Sequence, residues 1–166
     1  MIFVTLGTTG FQFDRLLKKL DMVLLELGLK EKLIIQARVV NHKFNYHRVE
    51  IIKEFPINIM IKYLKGARLV ITHASPAIIF LSLKYAKNQP LILTRLKKFN
   101  EHIDNHQFYF AQFFKKKELN GIFLDNKNVE KQIKHYLLNP QKNKTIYNRY
   151  QSLRLVTKLI EYTENI

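Results

Sequence analysis

Two histidines, two carboxylates and two amides lie within seven residues of this chain. The stretch reads Glu101-His102-Ile103-Asp104-Asn105-His106-Gln107. Such groups can hydrogen-bond hydroxyls, hold anions or transfer protons. His102 and His106 have a spacing that can ligate zinc, but there is no HExxH motif and no evident third ligand. We therefore predict that the stretch binds a polar substrate and no metal.

Two other loops place small and polar residues where an apolar run ends. The first is Gly7-Thr8-Thr9, and the second is Thr72-His73-Ala74-Ser75-Pro76-Ala77. In an open α/β sheet, ligands collect at the carboxyl ends of the strands, where helix N-termini present free N–H groups. Ser75 can donate a hydrogen bond, and a helix that begins at Pro76 presents its positive end. The loops predict an anion or sugar-nucleotide site.

Four residues have two interpretations each. Arg15 could reach a phosphate or be an ordinary surface arginine. Arg95 could lie near the ligand or form a salt bridge with Glu101. His73, at the end of a buried strand, fits a structural histidine and a phosphate contact about equally well. Asp104 could bind the substrate, and it is also a candidate N-cap of the helix that follows.

Apolar periodicity divides the chain into alternating strands and helices. Predicted strands cover residues 2–6, 33–37, 49–55, 69–72, 90–94 and 122–124, and predicted helices cover residues 14–27, 56–64, 76–85, 104–117, 126–138 and 144–162. Strands that alternate with helices favour a parallel sheet covered on both faces. The predicted fold class is α/β, a Rossmann-like parallel sheet with helices on both faces, in a single domain over residues 1–166.

Composition limits the classes of function. The absence of cysteine excludes disulfides, thiolate nucleophiles and cysteine-ligated zinc. No apolar run is long enough to cross a bilayer and the N-terminus does not resemble a secretion signal, so we expect a cytoplasmic protein. The net charge of +15 comes from lysines spread along the chain. Solvated basic faces are the first explanation, an anionic membrane surface or acidic partner the second, and specific nucleic-acid recognition the last.

Three blocks, in chain order, resemble the C-terminal domain of family 28 glycosyltransferases. They are Ile2-Phe3-Val4-Thr5-Leu6-Gly7-Thr8-Thr9 with Phe13-Asp14-Arg15-Leu16, then Thr72-His73-Ala74-Ser75-Pro76-Ala77, then Pro90-Leu91-Ile92-Leu93-Thr94-Arg95 with Glu101-His102-Ile103-Asp104-Asn105-His106-Gln107. The resemblance is stronger to the single-domain members, which are the Alg13-like proteins and the small subunits of bacterial two-component capsule and exopolysaccharide glycosyltransferases.

The resemblance implies the C-terminal half of a GT-B fold and an inverting enzyme that uses a nucleotide-sugar donor, expected to be a UDP-sugar, with no cofactor and no required metal. In this family the C-terminal domain binds the donor, and a separate domain binds the acceptor. Because the family pattern begins at Met1, the resemblance implies an Alg14-like, membrane-associated partner subunit that brings a lipid-linked saccharide acceptor. The expected location is the inner face of the plasma membrane, and the expected pathway is capsular or exopolysaccharide biosynthesis. We expect the catalytic base to come from the partner.

The motif matches also imply a set of donor-binding residues. They are Gly7, Thr8, Thr9, Arg15, Thr72, His73, Ser75, Ala77, Arg95, Glu101, His102, Asp104, His106 and Gln107, of which Asp104 and Gln107 match family positions that bond hexose hydroxyls. The loop over residues 72–78 departs from the family because it lacks glycine. Some relatives carry a glutamate for the ribose hydroxyls near the position of Leu81, and leucine cannot make those hydrogen bonds. Two other functions stay open: a non-catalytic scaffold subunit of the same complex, and a basic nucleic-acid-binding module.

Overall fold

A parallel sheet forms the centre of the protein in a computed structural model that describes residues 1–116, 122–124 and 127–143. Its strands are β1 (Ile2–Thr5), β2 (Leu33–Gln36), β3 (Val49–Ile52), β4 (Leu69–His73), β5 (Leu91–Leu93) and β6 (Ile122–Phe123). The strand order is β3-β2-β1-β4-β5-β6, and every neighbouring pair is parallel. This is the doubly wound Rossmann order, so the predicted fold class is confirmed.

Helices cover both faces of this sheet. In the described ranges they are α1 (Asp14–Glu26), α2 (Ile57–Gly66), α3 (Pro76–Tyr85), α4 (His106–Lys116) and α5 (Val129–Leu138). Alternation along β1 explains the two layers, because Ile2 and Val4 pack with α1 and α5 whereas Phe3 packs with α2. Strands buried on both faces need continuous apolar sequence. None of these helices is long and apolar enough to cross a membrane.

The structure moves several predicted element ends by one to three residues, and two of these changes lie near the ligand edge of the sheet. The strand predicted over residues 49–55 stops at Ile52, because its neighbour β2 ends at Gln36 in the same register. The helix predicted over residues 104–117 begins at His106, after an N-cap at Asn105 whose carbonyl oxygen accepts the N–H groups of Phe108 and Tyr109. The helix predicted over residues 144–162 lies outside the described residues.

Asp104 is therefore not the N-cap, and that part of its predicted role is wrong. Its carboxylate accepts the backbone N–H of His106 at 3.1 Å, which closes a turn just before the helix. Aspartate commonly hydrogen-bonds the backbone two residues further on, and this local turn competes with capping.

The strand order fixes where a ligand site can form. Successive strands run outward from β1 in one direction as far as β3, and then from β4 in the other direction as far as β6. The carboxyl ends of β1 and β4, at Thr5 and His73, are therefore side by side. Open α/β sheets bind ligands at this reversal, because the connections leave on opposite faces and a crevice opens between them.

Candidate functional site

A groove of about 320 Å³ opens at the reversal of strand order between β1 and β4. Six of the predicted site residues line it, three from each loop: Gly7, Thr8, Thr9, His73, Ser75 and Ala77. The rest of its lining comes from the ends of β1 and β2, the segment after β3, and helices α2 and α3: Thr5, Gln36, Glu54, Phe55, Met60, Ile78 and Leu81. The two loops that the sequence singles out thus share one groove.

Gln36 organises this groove, although no motif in the sequence singles it out. Its side-chain oxygen accepts hydrogen bonds from the Thr5 hydroxyl at 2.9 Å and from the Gly7 N–H at 3.2 Å. Its amide nitrogen donates to the carbonyl oxygens of Gly7 at 3.1 Å and Lys53 at 2.9 Å. The signal was available in principle, since Gln36 is the polar last residue of an otherwise apolar strand and lies at the ligand edge.

His73 and Gly7 meet closely at the groove. Gly7 has a φ of +78°, and a Cβ at that position would lie 3.2 Å from His73 Cε1 and 3.3 Å from Nε2. The carbonyl oxygen of Thr5 lies 3.3 Å from His73 Nδ1 and can only accept, so we assign the ring proton to Nδ1. Nε2 is then a hydrogen-bond acceptor at the groove. His73 is buried, as a structural histidine would be, and its ring also lines the groove.

Burial, followed by the nearby Arg95 guanidinium, lowers the pKa of His73 to about 4. The imidazole is therefore neutral at physiological pH. A neutral ring cannot form an ion pair with a phosphate. An ionic contact between His73 and the donor phosphate is therefore not expected at neutral pH. It can accept a hydrogen bond from a ligand hydroxyl through Nε2.

We expect acid to destabilise the protein through His73. Its pKa is about 4 when folded against 6.5 when unfolded, so its contribution is complete above pH 6.5 and is lost as the pH falls toward 4. The full effect is about 3 kcal/mol. Urea denaturation at pH 7.5 and pH 4.5 would measure it against His73→Asn, whose side-chain amide can still donate to Thr5. Equal losses of stability in both proteins would contradict this assignment.

The start of α3 presents backbone donors to the groove. Ser75 is the N-cap, Pro76 is the first helical residue, and in the described part of the chain the Ser75 hydroxyl makes no capping hydrogen bond. The N–H groups that follow, at Ala77 and Ile78, belong to the first turn of the helix, where no intrahelical acceptor is available. Thr72, in contrast, is fully buried, and its hydroxyl lies 3.1 Å from the carbonyl oxygens of Thr5 and His73. Its side chain holds β4 against β1 and does not line the groove.

Arg15 and Glu101 form a buried ion pair. Nε and Nη2 of Arg15 each lie 2.9 Å from a carboxylate oxygen of Glu101, and Nη2 also donates to the Thr94 carbonyl oxygen. The Glu101 carboxylate is fully buried and accepts the Leu96 N–H at 3.0 Å. Both residues therefore fix the loop between β5 and α4, and Arg15 is not the surface arginine that the sequence left open.

Arg95 does not form the salt bridge to the Glu101 carboxylate that the sequence left open. It is only 2% exposed. Its Nη1 donates to the carbonyl oxygens of Phe11, Gln12 and Glu101 at 3.0 Å, and its Nη2 donates to Leu6 at 2.8 Å. The expected salt bridge to the Glu101 carboxylate is made by Arg15 instead. Burial lowers the pKa of Arg95 to about 10, so it is still a cation at neutral pH.

The remaining predicted residues lie at the start of α4. The His102 ring packs on Phe11, with ring centroids 5.5 Å apart, and edge-on against His106 at 4.5 Å. Burial, then the neighbouring His106, lowers the pKa of His102. Gln107 is buried, and its side-chain oxygen is 3.4 Å from the Arg95 N–H.

Asp104 lies beside both His102 and His106 and offers a third candidate ligand atom. Asp104 Oδ1 lies 3.2 Å from His102 Nδ1 and 2.5 Å from His106 Nδ1. Hydrogen bonds from His106 lower the pKa of the Asp104 carboxyl, which is therefore ionised at neutral pH. The three side chains form one cluster.

Comparison with known proteins identifies the family. The chain matches the glycosyltransferase family 28 C-terminal domain over residues 1–160. Among solved structures it is similar to the flavodoxin-like domain of a Synechococcus sp. protein, at 13% identity and a TM-score of 0.41, over 81% of this chain and 92% of that chain. No curated protein matches it. The family match and the three sequence blocks agree: the chain belongs to the family of glycosyltransferase family 28 C-terminal domains.

Proposed function

We propose that this protein is the donor-binding subunit of an inverting, UDP-sugar-dependent glycosyltransferase. It acts with an Alg14-like, membrane-associated partner on a lipid-linked saccharide acceptor, at the inner face of the plasma membrane, in capsular or exopolysaccharide biosynthesis. The observation that carries the proposal is the groove at the reversal of strand order, which joins both loops in a chain of this glycosyltransferase family.

The proposed chemistry is a single displacement. A hydroxyl of the acceptor attacks the anomeric carbon of the donor sugar while the bond from that carbon to the diphosphate oxygen breaks, and a base from the partner removes the hydroxyl proton. The leaving diphosphate gains negative charge next to the first turn of α3. Backbone N–H groups at Ala77 and Ile78, together with the Ser75 hydroxyl, supply donors for that charge without a required metal.

Leu81, which stands near the position of a ribose-binding glutamate in some relatives, leaves the ribose without that hydrogen-bond acceptor. Leu81 lines the groove and packs against the apolar cluster between α2 and the sheet, so it offers the ribose no hydrogen bond. Glu54 lines the same groove from the segment after β3, and its side chain is exposed. We propose that the Glu54 carboxylate accepts the ribose hydroxyls in place of the glutamate found near residue 81 in some relatives.

We expect UDP to bind the chain and Ala77→Trp to weaken that binding at least tenfold. Ala77 is exposed at the groove, so an indole there would occupy the position of the diphosphate without disturbing the core. Isothermal titration calorimetry with UDP, supported by the rise in melting temperature that a ligand produces by mass action, would measure the effect. Met22→Trp on α1 is the matched control, because residue 22 is 57% exposed and does not line the groove.

Three outcomes would oppose this proposal. Equal UDP affinity in Ala77→Trp and Met22→Trp would exclude the groove as the nucleotide site. No binding of any nucleoside diphosphate at millimolar concentration, with the partner present, would favour a scaffold subunit that has lost its donor. Sequence-selective oligonucleotide binding that survives physiological salt would instead favour the nucleic-acid alternative.

A further inference from the structure

Two imidazoles and one carboxylate converge at the start of α4. Each of His102, Asp104 and His106 offers one ligand atom, and these three atoms lie within 4.8 Å of one another. The shared centre is Asp104 Oδ1, which is 3.2 Å from His102 Nδ1 and 2.5 Å from His106 Nδ1. The three residues occupy every second position, from the turn before α4 to its first residue, His106. This spacing brings all three side chains together.

The cluster is held in position by its surroundings. His102 stacks on Phe11, and its side chain is only 14% exposed. His106 is the first residue of α4, and its backbone N–H fixes the Asp104 carboxylate. Ligands that are already oriented by neighbouring groups lose little conformational freedom when a metal binds.

One nitrogen of the cluster has no well-aligned hydrogen bond. Within the part of the chain that the structure describes, the buried Nδ1 of His102 faces Asp104 Oδ1 at 3.2 Å without hydrogen-bond geometry. This contact is an ion pair when Nδ1 carries a proton, and in the other tautomer it sets a nitrogen lone pair beside a carboxylate oxygen. A cation between the two atoms would satisfy both of them.

The donor set selects the class of metal. Zinc binds imidazole nitrogen and carboxylate oxygen at about 2.0–2.2 Å, which places tetrahedral ligand atoms about 3.3 Å apart. Asp104 Oδ1 is 3.2 Å from His102 Nδ1, close to that value, whereas its hydrogen bond to His106 Nδ1 at 2.5 Å must open by about 0.8 Å for an ion to enter. Two imidazoles with one carboxylate suit zinc and related transition metals, whereas magnesium and calcium prefer ligands that are all oxygen.

We infer that His102, Asp104 and His106 bind a divalent transition-metal ion of the zinc class and leave one coordination position open. The site follows β5 and so lies at the same carboxyl edge of the sheet as the groove. The inference replaces the sequence-based expectation of no metal, which assumed that no third ligand was present. It does not rest on the proposed transferase function, and no step of the transfer passes through the metal.

Metal titration of the chelator-treated full chain tests the inference. Calorimetry should find one strong Zn²⁺ site, and Co²⁺ should give the visible absorption of a four-coordinate, histidine-ligated ion. His106→Ala and Asp104→Asn change exposed side chains and should lower Zn²⁺ affinity at least tenfold. His135→Ala removes an exposed histidine from α5 and should change nothing.

Three results would overturn the inference: no Zn²⁺ binding, unchanged affinity in both cluster variants, or an equal loss in His135→Ala. Far-UV circular dichroism establishes that each variant is folded. UDP binding is measured separately in chelator, so failure of the metal site leaves the donor-binding proposal standing, and failure of UDP binding leaves the metal site standing.

Discussion

Replacing Glu101 with glutamine is expected to lower the free energy of unfolding by about 3 to 5 kcal/mol. The Glu101 carboxylate is fully buried and accepts hydrogen bonds from Arg15 and from the backbone of Leu96. Glutamine keeps the shape but removes the charge. Arg15, whose side chain is 16% exposed, and the buried Arg95 would then lie near each other without the neighbouring negative charge of Glu101.

Urea denaturation followed by circular dichroism at pH 7 would measure this loss. Glu130→Gln is the matched control, because Glu130 pairs with Lys19 at the surface and both side chains are about 40% exposed. That pair is screened by water, so we expect a loss below about 1 kcal/mol. Similar small losses in the two variants would show that the Arg15–Glu101 pair is not a desolvated structural pair.

Gly7→Ala is expected to destabilise the protein by about 2 to 5 kcal/mol and to abolish UDP binding at millimolar concentration. A left-handed backbone costs an L-residue about 1–2 kcal/mol, and overpacking adds about 1–3 kcal/mol. The new methyl would press on the His73 ring, which is buried and cannot readily withdraw. The displaced ring and loop would then narrow the groove that both residues line.

Gly28→Ala separates the cost of the left-handed backbone from the cost of overpacking against His73. Gly28 also has a left-handed backbone, with a φ of +58°, but no described atom lies within 4 Å of an added Cβ. Its expected loss is therefore only the backbone cost of about 1–2 kcal/mol, with UDP affinity unchanged. The same denaturation and calorimetric measurements apply. If the two variants lose equal stability, the close approach of Gly7 to His73 has no energetic weight.

The sheet could be predicted from the sequence because its strands are buried on both faces. The first three residues of β1 and of β4 are apolar in succession, and every residue of both strands is buried. The helices between the strands repeat their apolar residues every three or four positions. Helix starts were less accurate. Neither periodicity nor residue type decides whether Asp104 or Asn105 caps α4. In the structure the Lys97 N–H donates to the side-chain oxygen of Asn105 at 3.0 Å, and sequence spacing does not predict this contact.

The site was predictable in location and less so in the roles of its residues. Polar residues after β1 and β4 meet because parallel strands end at a common edge. Charge pairing, in contrast, is decided by distances across the sheet that spacing does not contain. Arg95 is six residues from Glu101 along the chain, yet Arg15, from a distant helix, reaches its carboxylate. The contribution of Gln36 to the groove likewise needs three segments to be placed together.

Gln36 joins the Gly7 loop to the segment after β3 through a single side-chain amide. Those two segments form parts of both walls of the groove. Because the amide fixes one segment relative to the other before any ligand arrives, little conformational entropy is left to lose on binding. The groove is thus preorganised by a residue that need not touch the ligand.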